Sequence, residues 1–274
     1  MWNHLNNQMD EALAYYEQIG LKGLKIDFIN RDDQEMVNFY HTVLKKAAEH
    51  KLLINFHGAY KPDGLNRTYP NLITREAVLG AEYSKWDKHL PNPTYNVTIP
   101  FTRMVLGAMD YTPGGMRNSA PNDETVNGGS PLARGTRAHN LAMLVVFESP
   151  LQTLCESPAV YQNSTGFEFI KQCPTSWDET RVLGGKIREY IVIARRKGNN
   201  WYVGAMTNSK QRDIDIDFNF LGSGDYSAEI YSDVQDANTN PQNVDINQST
   251  IISSNSQTFT LAMGGGLAIV LKRK

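Results

Sequence analysis

The feature that most constrains this chain is a strand–helix–strand run near its start. Leu24-Lys25-Ile26-Asp27-Phe28 is a short apolar strand ending in a carboxylate. Asp32 or Asp33 can cap the helix that follows, which carries Met36, Val37, Tyr40, Val43, Leu44 and Ala47 at helical spacing and runs to about His50. Leu52-Leu53-Ile54-Asn55-Phe56 is a second buried strand, ending in His57-Gly58. A helix of this length between two strands brings the chain back in the same direction, so the pairing is parallel. A helical rhythm over residues 9–19, stopped by Gly20, precedes the unit.

The pattern then continues less regularly. Residues 77–83 and 104–111 are expected as strands, 136–148 as a helix, 151–155 as a further strand and 167–172 as a helical turn. After about residue 183 the texture changes. Residues 190–195, 200–207, 213–218, 226–232, 257–262 and 266–271 alternate or run apolar, punctuated by Asn199-Asn200, Gly222-Ser223-Gly224 and Gly264-Gly265-Gly266. The expectation is an α/β part over residues 1–182, about five β/α steps, followed by an antiparallel β sandwich over 183–274. A complete (β/α)8 barrel takes eight strands and typically about 250 residues, so the first part is short of the strands needed to close one.

Charge and hydropathy narrow the partners. With 27 Lys and Arg against 29 Asp and Glu, the chain lacks the basic excess that tracks a phosphate backbone, and nucleic acid is not expected. No run of about eighteen apolar residues is present, which argues against a membrane span. The start, Met1-Trp2-Asn3-His4-Leu5, is polar and lacks a basic-then-apolar leader; as written, the chain would stay in the cytoplasm. Cys155 and Cys173 have no metal-ligand spacing and are read as buried thiols, with a disulfide between them as the alternative.

In parallel α/β folds the working groups gather where strands end and βα loops converge. Asp27 lies at such an end, where a charge within an apolar strand is costly unless it is used or paired with Lys25 or Arg31. His57 ends the next strand, either contacting a hydroxyl-rich ligand or satisfied at the rim, and Gly58 permits close backbone approach. Glu76 and Glu82 are an even number of residues apart, so a strand over 77–83 would put both on one face. Such carboxylates suit hard-cation binding or paired acid/base chemistry, or are ordinary surface acids. Asp178, beside Glu179 in an expected loop, is a substrate-binding candidate or a solvated acid.

Longer strings carry more information. Lys25-Ile26-Asp27-Phe28, Asn38-Phe39-Tyr40, Asn55-Phe56-His57-Gly58-Ala59-Tyr60-Lys61-Pro62 and Arg67-Thr68-Tyr69-Pro70-Asn71 are four of them. Others are Thr74-Arg75-Glu76, Gly80-Ala81-Glu82-Tyr83, Pro100-Phe101-Thr102-Arg103, Met109-Asp110-Tyr111-Thr112-Pro113-Gly114 and Phe147-Glu148-Ser149-Pro150. In order, over nearly the whole chain, they resemble glycoside hydrolase family 97, the calcium-dependent α-glucosidases and α-galactosidases. The resemblance implies the C-terminal portion of a (β/α)8 barrel, from about its fourth strand, followed by a C-terminal β domain. It also implies a secreted or periplasmic enzyme acting on an oligosaccharide with an α-linked terminal sugar.

Inverting members of the family carry a glutamate directly after the histidine of the fifth strand, and retaining members carry an aspartate at the end of the fourth. Asp27 with Gly58 therefore resembles the retaining, α-galactosidase branch. The carry-over makes Asp27 the nucleophile, Glu82 the general acid/base and Glu76, with Glu82, a calcium ligand. Part of the family's calcium shell comes from an N-terminal domain that these strings do not include. An α-glucosidase of the same family and a non-catalytic fragment are the competing readings, and nothing in the sequence speaks to oligomeric state.

Overall fold

The computed structural model describes residues 1–274. The chain forms two compact units, one of Met1–Val78, Arg103–Tyr111 and Ser149–Leu151, the other of Leu79–Thr102, Thr112–Glu148 and Gln152–Lys274.

In the first unit α1 (Trp2–Asn7) and α2 (Met9–Gln18) lead into β1 (Gly23–Ile26). The Asp33 carboxylate then accepts the Met36 N–H at 3.1 Å, supplying one of the partners that a helix start lacks, and α3 (Gln34–Glu49) begins there. β2 (Leu53–Phe56), the single-turn α4 (Leu65–Thr68) and β3 (Leu72–Arg75) follow. β1 pairs with β2 and β2 with β3, both in parallel, as the strand–helix–strand run requires. Alternation turns Ile26, Ile54 and Phe56 towards α3, where they share one core with Leu13, Met36, Tyr40, Val43 and Leu44. Lys25 and Asn55, register partners, turn to the opposite face. Arg75 ends β3 on the apolar side, almost wholly buried, with its guanidinium 4.9 Å from the Tyr40 ring and 4.8 Å from the Tyr60 ring. Asp63 pairs with it at 3.2 Å, so this buried charge has both an anion and π faces.

The second unit contains α5 (Pro93–Asn96), the two-residue strands β4 (Asn118–Ser119) and β5 (Ala133–Arg134), α6 (Arg137–Val146), α7 (Pro158–Gln162) and α8 (Phe167–Gln172). Eight strands follow: β6 (Glu179–Lys186), β7 (Tyr190–Lys197), β8 (Asn200–Thr207), β9 (Arg212–Asp217), β10 (Tyr226–Ser232), β11 (Asp245–Ile251), β12 (Ser256–Leu261) and β13 (Gly266–Arg273). Six make an antiparallel sheet in the order β11-β10-β13-β8-β7-β6, and β9 pairs with β12 as a separate ribbon. Ile214, Ile216, Phe259 and Leu261 of the ribbon share a core with Val203, Ile230 and Ile269 of the sheet. On the sheet's other face lies α6, capped by the Thr136 side chain and buried along all 10 of its residues. Two glycines permit that approach: a Cβ on Gly204 would lie 2.8 Å from the Ala142 carbonyl oxygen, and one on Gly266 2.5 Å from His139 Cα.

Several expected elements differ. Residues 77–83 are no strand: β3 ends at Arg75, Ala77 sits at φ +43°, and Ala81–Lys85 form a 3-10 turn, so Glu76 and Glu82 share no strand face. Residues 104–111 hold a 3-10 turn, Arg103–Leu106, and one parallel bridge from Met109 to Arg75. Residues 151–155 are irregular. Short apolar runs do not by themselves separate strand from loop. β6 and β11 escaped notice because both are edge strands with polar, mostly exposed side chains. Both cysteines are free, and Cys155 is exposed rather than buried.

One carboxyl group of the second unit links fold to pH. Asp233 Oδ2 accepts the N–H groups of Ala262 and Gly266, each at 2.9 Å, while Oδ1 is buried without a partner. Burial pushes this carboxyl up to about 6, against the pull of its hydrogen bonds. A raised carboxyl stabilises the fold most when protonated, so its contribution is full below pH about 4 and lost as pH rises through about 6. Urea unfolding at pH 4.5 and pH 7 should show the stability difference between wild type and Asp233→Asn moving against the wild type by about 2 kcal/mol across that interval. A difference that does not change with pH would remove Asp233 as its source.

Candidate active site

The sheet register builds a site at one end of the first unit. Ile26 pairs with Phe56 and Phe56 with Arg75, so the next residue of each strand, Asp27, His57 and Glu76, stands in one row. The ladder continues into that row: His57 N–H donates to the Ile26 carbonyl at 2.8 Å and Glu76 N–H to the Phe56 carbonyl at 2.9 Å. His57 is the centre. Its Nδ1 lies 3.3 Å from Asp27 Oδ1 and its Nε2 3.4 Å from Glu76 Oε1, which fixes the plane of the ring between two carboxylates. Glu76 Oε2 also accepts the Gly58 N–H at 2.7 Å. Asp27 is the accessible member, with its side chain 37% exposed against 10% for His57 and 12% for Glu76.

The backbone after Asp27 is strained to suit. Phe28 and Asn30 have φ of +61° and +46°, in the left-handed region that costs side-chain-bearing residues about 1–3 kcal/mol. Phe28 N–H donates back to Asp27 Oδ1 at 2.5 Å, and Asn30 N–H donates to the Gly58 carbonyl at 2.7 Å. Gly58 itself has φ +57°, and a Cβ there would stand 2.9 Å from Asn30 Oδ1 and 3.3 Å from the amide nitrogens of Phe28 and Ile29. The loop that aims Asp27 is therefore seated on a bare glycine.

Beneath the row is a layer that sequence reasoning missed. Asp110, its side chain only 1% exposed, takes the Lys25 ammonium and the Asn55 amide on one oxygen, Oδ2, each at 2.8 Å. The same oxygen lies 4.0 Å from His57 Nε2. Arg103, buried, donates to the carbonyls of Arg75, Glu76, Gly107 and Ala108 and so holds the turn carrying Glu76. Alternation offered a signal for part of this, because Lys25 and Asn55 stand two residues before Asp27 and His57 and share their face.

Of the residues singled out from sequence, Asp27, His57 and Glu76 are thus brought together. Glu82 belongs to the second unit, on the Ala81–Lys85 turn, 41% exposed and 3.4 Å from Lys85 Nζ. Asp178, also in the second unit, accepts the Gly198 N–H at 2.7 Å, which together with Lys197 and Arg196 holds its carboxyl below the usual range; it fastens the β7–β8 turn. As for calcium, which takes six to eight oxygens, no group of three or more His, Cys, Asp or Glu side chains is arranged to hold a metal ion.

Comparison with known proteins bears on what the row is for. Residues 1–78 match the family described as Glycoside hydrolase 97, and residues 176–272 match Glycosyl-hydrolase 97 C-terminal, oligomerisation. A retaining alpha-galactosidase of Bacteroides thetaiotaomicron is 41% identical over 99% of this chain. The chain belongs to glycoside hydrolase family 97. A probable retaining alpha-galactosidase of Streptomyces bingchenggensis is 33% identical over 84% of the chain. A solved family 97 enzyme from Pseudoalteromonas sp. strain K8, an E480Q variant in complex with panose, superposes with a TM-score of 0.89 at 34% identity, covering 98% of this chain. The chain spans 41% and 34% of the lengths of these two curated relatives and 45% of the solved one.

Gly58→Ala should lower the unfolding free energy by about 1–3 kcal/mol, because the new methyl meets the 28–30 loop and the left-handed conformation is retained at a cost. Chemical denaturation of the two proteins measures it. Equal stability would mean the loop does not rest on Gly58.

Proposed function

We propose that this chain carries the nucleophile side of a retaining α-galactosidase site, with the Asp27–His57–Glu76 row on the C-terminal rim of part of a (β/α)8 barrel. The observation that carries the reading is the accessibility of Asp27 at a strand end, oriented by His57, next to a glycine whose left-handed φ and close neighbours disfavour a second carboxylate. The names of the two curated relatives support the sugar and the stereochemistry, and panose in the solved relative supports an oligosaccharide substrate.

On this reading an Asp27 carboxylate oxygen attacks the anomeric carbon as the glycosidic C–O bond breaks, and a general acid gives its proton to the leaving oxygen. That group then takes a proton from water, which displaces Asp27 and releases the sugar with its original configuration. His57 fixes the Asp27 carboxylate for in-line approach, and Glu76 holds His57 from behind. Asp178 has no part, its carboxylate being committed to the β7–β8 turn.

The test is kinetic and uses the protein expressed from its whole reading frame. Asp27→Gly should cut hydrolysis of p-nitrophenyl α-galactoside by at least about a thousandfold. Azide should restore turnover and leave a β-galactosyl azide, the configuration that results when a small anion replaces the carboxylate. Wild-type rates in Asp27→Gly would reject the nucleophile, and a faster reaction on the α-glucoside would reject the sugar.

Calcium dependence belongs to the same proposal, with Glu76 as one carboxylate that would meet the ion. No group of three or more His, Cys, Asp or Glu side chains stands ready for the ion in this chain, and no step above passes through it. Calcium titrated into the 274-residue chain should leave its melting temperature within about 1 °C, because only a ligand that binds the folded state stabilises it. A saturable rise would mean that the chain holds calcium unaided.

A further inference from the structure

The buried layer under the row is arranged poorly for stability. Asp110 Oδ2 has two donors, whereas Asp110 Oδ1 and Asn55 Oδ1 are buried with no partner at all. A half-satisfied buried carboxylate costs free energy that apolar side chains of the same volume would not. Stability alone does not account for the charge, and its position shows what it can act on.

Lys25 and Asp27 are two residues apart on one strand and share a face, which places a long, mobile cation below the accessible carboxylate. Asp110 holds that ammonium at 2.8 Å. It also holds Asn55, directly below His57 on β2, and approaches His57 Nε2 to 4.0 Å. The backbone of Asp110 is itself fixed, its N–H donating to the Arg75 carbonyl at 3.0 Å at the end of β3. One residue thereby ties together the three strands whose ends carry the row, β1 and β2 through its carboxylate and β3 through its backbone N–H.

We propose that Asp110 is a positioning residue for the Asp27 reaction, acting through Lys25 and Asn55 and touching no substrate atom. This rests on the retaining reading above. Titratable and charged groups facing Asp27 are His57 at 3.3 Å on β2 and Lys25 on its own strand; Glu76 stands beyond His57 and Asp110 beyond Lys25, while Arg31 is engaged by Asp33 and Glu35.

The test is a double-mutant cycle on kcat/KM in the enzyme from its whole reading frame, with Asp110→Asn, Lys25→Met and the pair. Asp110→Asn should lower kcat/KM about a hundredfold, and the pair should be no worse than the worse single variant, because residues acting as one unit lose their function once. The losses in Asp110→Asn and Lys25→Met should fall on kcat, with KM within about threefold of wild type, because a residue that touches no substrate atom leaves ground-state binding in place. A merely structural Asp110 would give additive losses, or a smaller folded fraction with unchanged kcat in the remainder, and either result overturns the proposal. Should Asp110→Asn fail to fold, Asp110→Leu with Lys25→Met removes both charges at once, and its loss should match that of Lys25→Met alone; a further multiplicative loss overturns the proposal too. Asp27→Gly with azide, run alongside, separates the two ideas: retained activity there sinks the nucleophile, whereas an inactive, azide-rescued Asp27→Gly with an additive cycle sinks only Asp110.

Discussion

The site depends on one constraint, the parallel register that pairs Ile26 with Phe56 and Phe56 with Arg75. Side chains alternate along a strand, so a slip of one residue would send Asp27 and His57 into the apolar layer and Ile26 and Phe56 to the rim. Both faces resist it. Ile26, Ile54 and Phe56 are committed to the core under α3, and Lys25 and Asn55 to the Asp110 carboxylate. The register is thus specified twice, once by hydrophobic burial and once by a buried ion pair.

These two specifications differ in energy. The apolar face contributes the stability, about 25 cal/mol for each Å² removed from water. The polar face is neutral or costly on its own account, since desolvating Asp110 offsets much of what Lys25 returns. Strain at Phe28 and Asn30 adds to the cost at the same end of the sheet. An α3 core of fully buried side chains carries a rim that is locally unfavourable, which is the usual condition of a site arranged for chemistry.

This asymmetry also governs what could be seen in the sequence. The strand–helix–strand run was legible because its apolar positions repeat at clear periods, and the Asp33 cap marked the helix start within a residue. Asp27 and His57 were legible because polar residues ending apolar strands stand out. The pattern that singled out Glu76, a strand over 77–83, was wrong, since Glu76 stands one step beyond the end of β3 at Arg75. Asp110 was not legible: its partners Lys25 and Asn55 lie far away along the chain, and Met109, its neighbour, joins the sheet by a single bridge. β6 and β11 were invisible for the opposite reason, since an edge strand with a solvated face needs no apolar pattern.

Gly58 connects the fold to the proposed stereochemistry. A retaining site needs one carboxylate against the anomeric carbon, and an inverting site needs a base held back by the width of a water molecule, some 6.5–9.5 Å from the acid. A base at position 58 would require a side chain where the 28–30 loop already rests, with Asn30 Oδ1 at 2.9 Å from the first atom added. Asn30 N–H already donates to the Gly58 carbonyl, so a side chain at 58 would press on the segment that is hydrogen-bonded to it. The left-handed φ at position 58 and the close approach of the 28–30 loop both disfavour a side chain there, so the backbone that seats the loop carrying Asp27 is one that favours glycine over the alternative base.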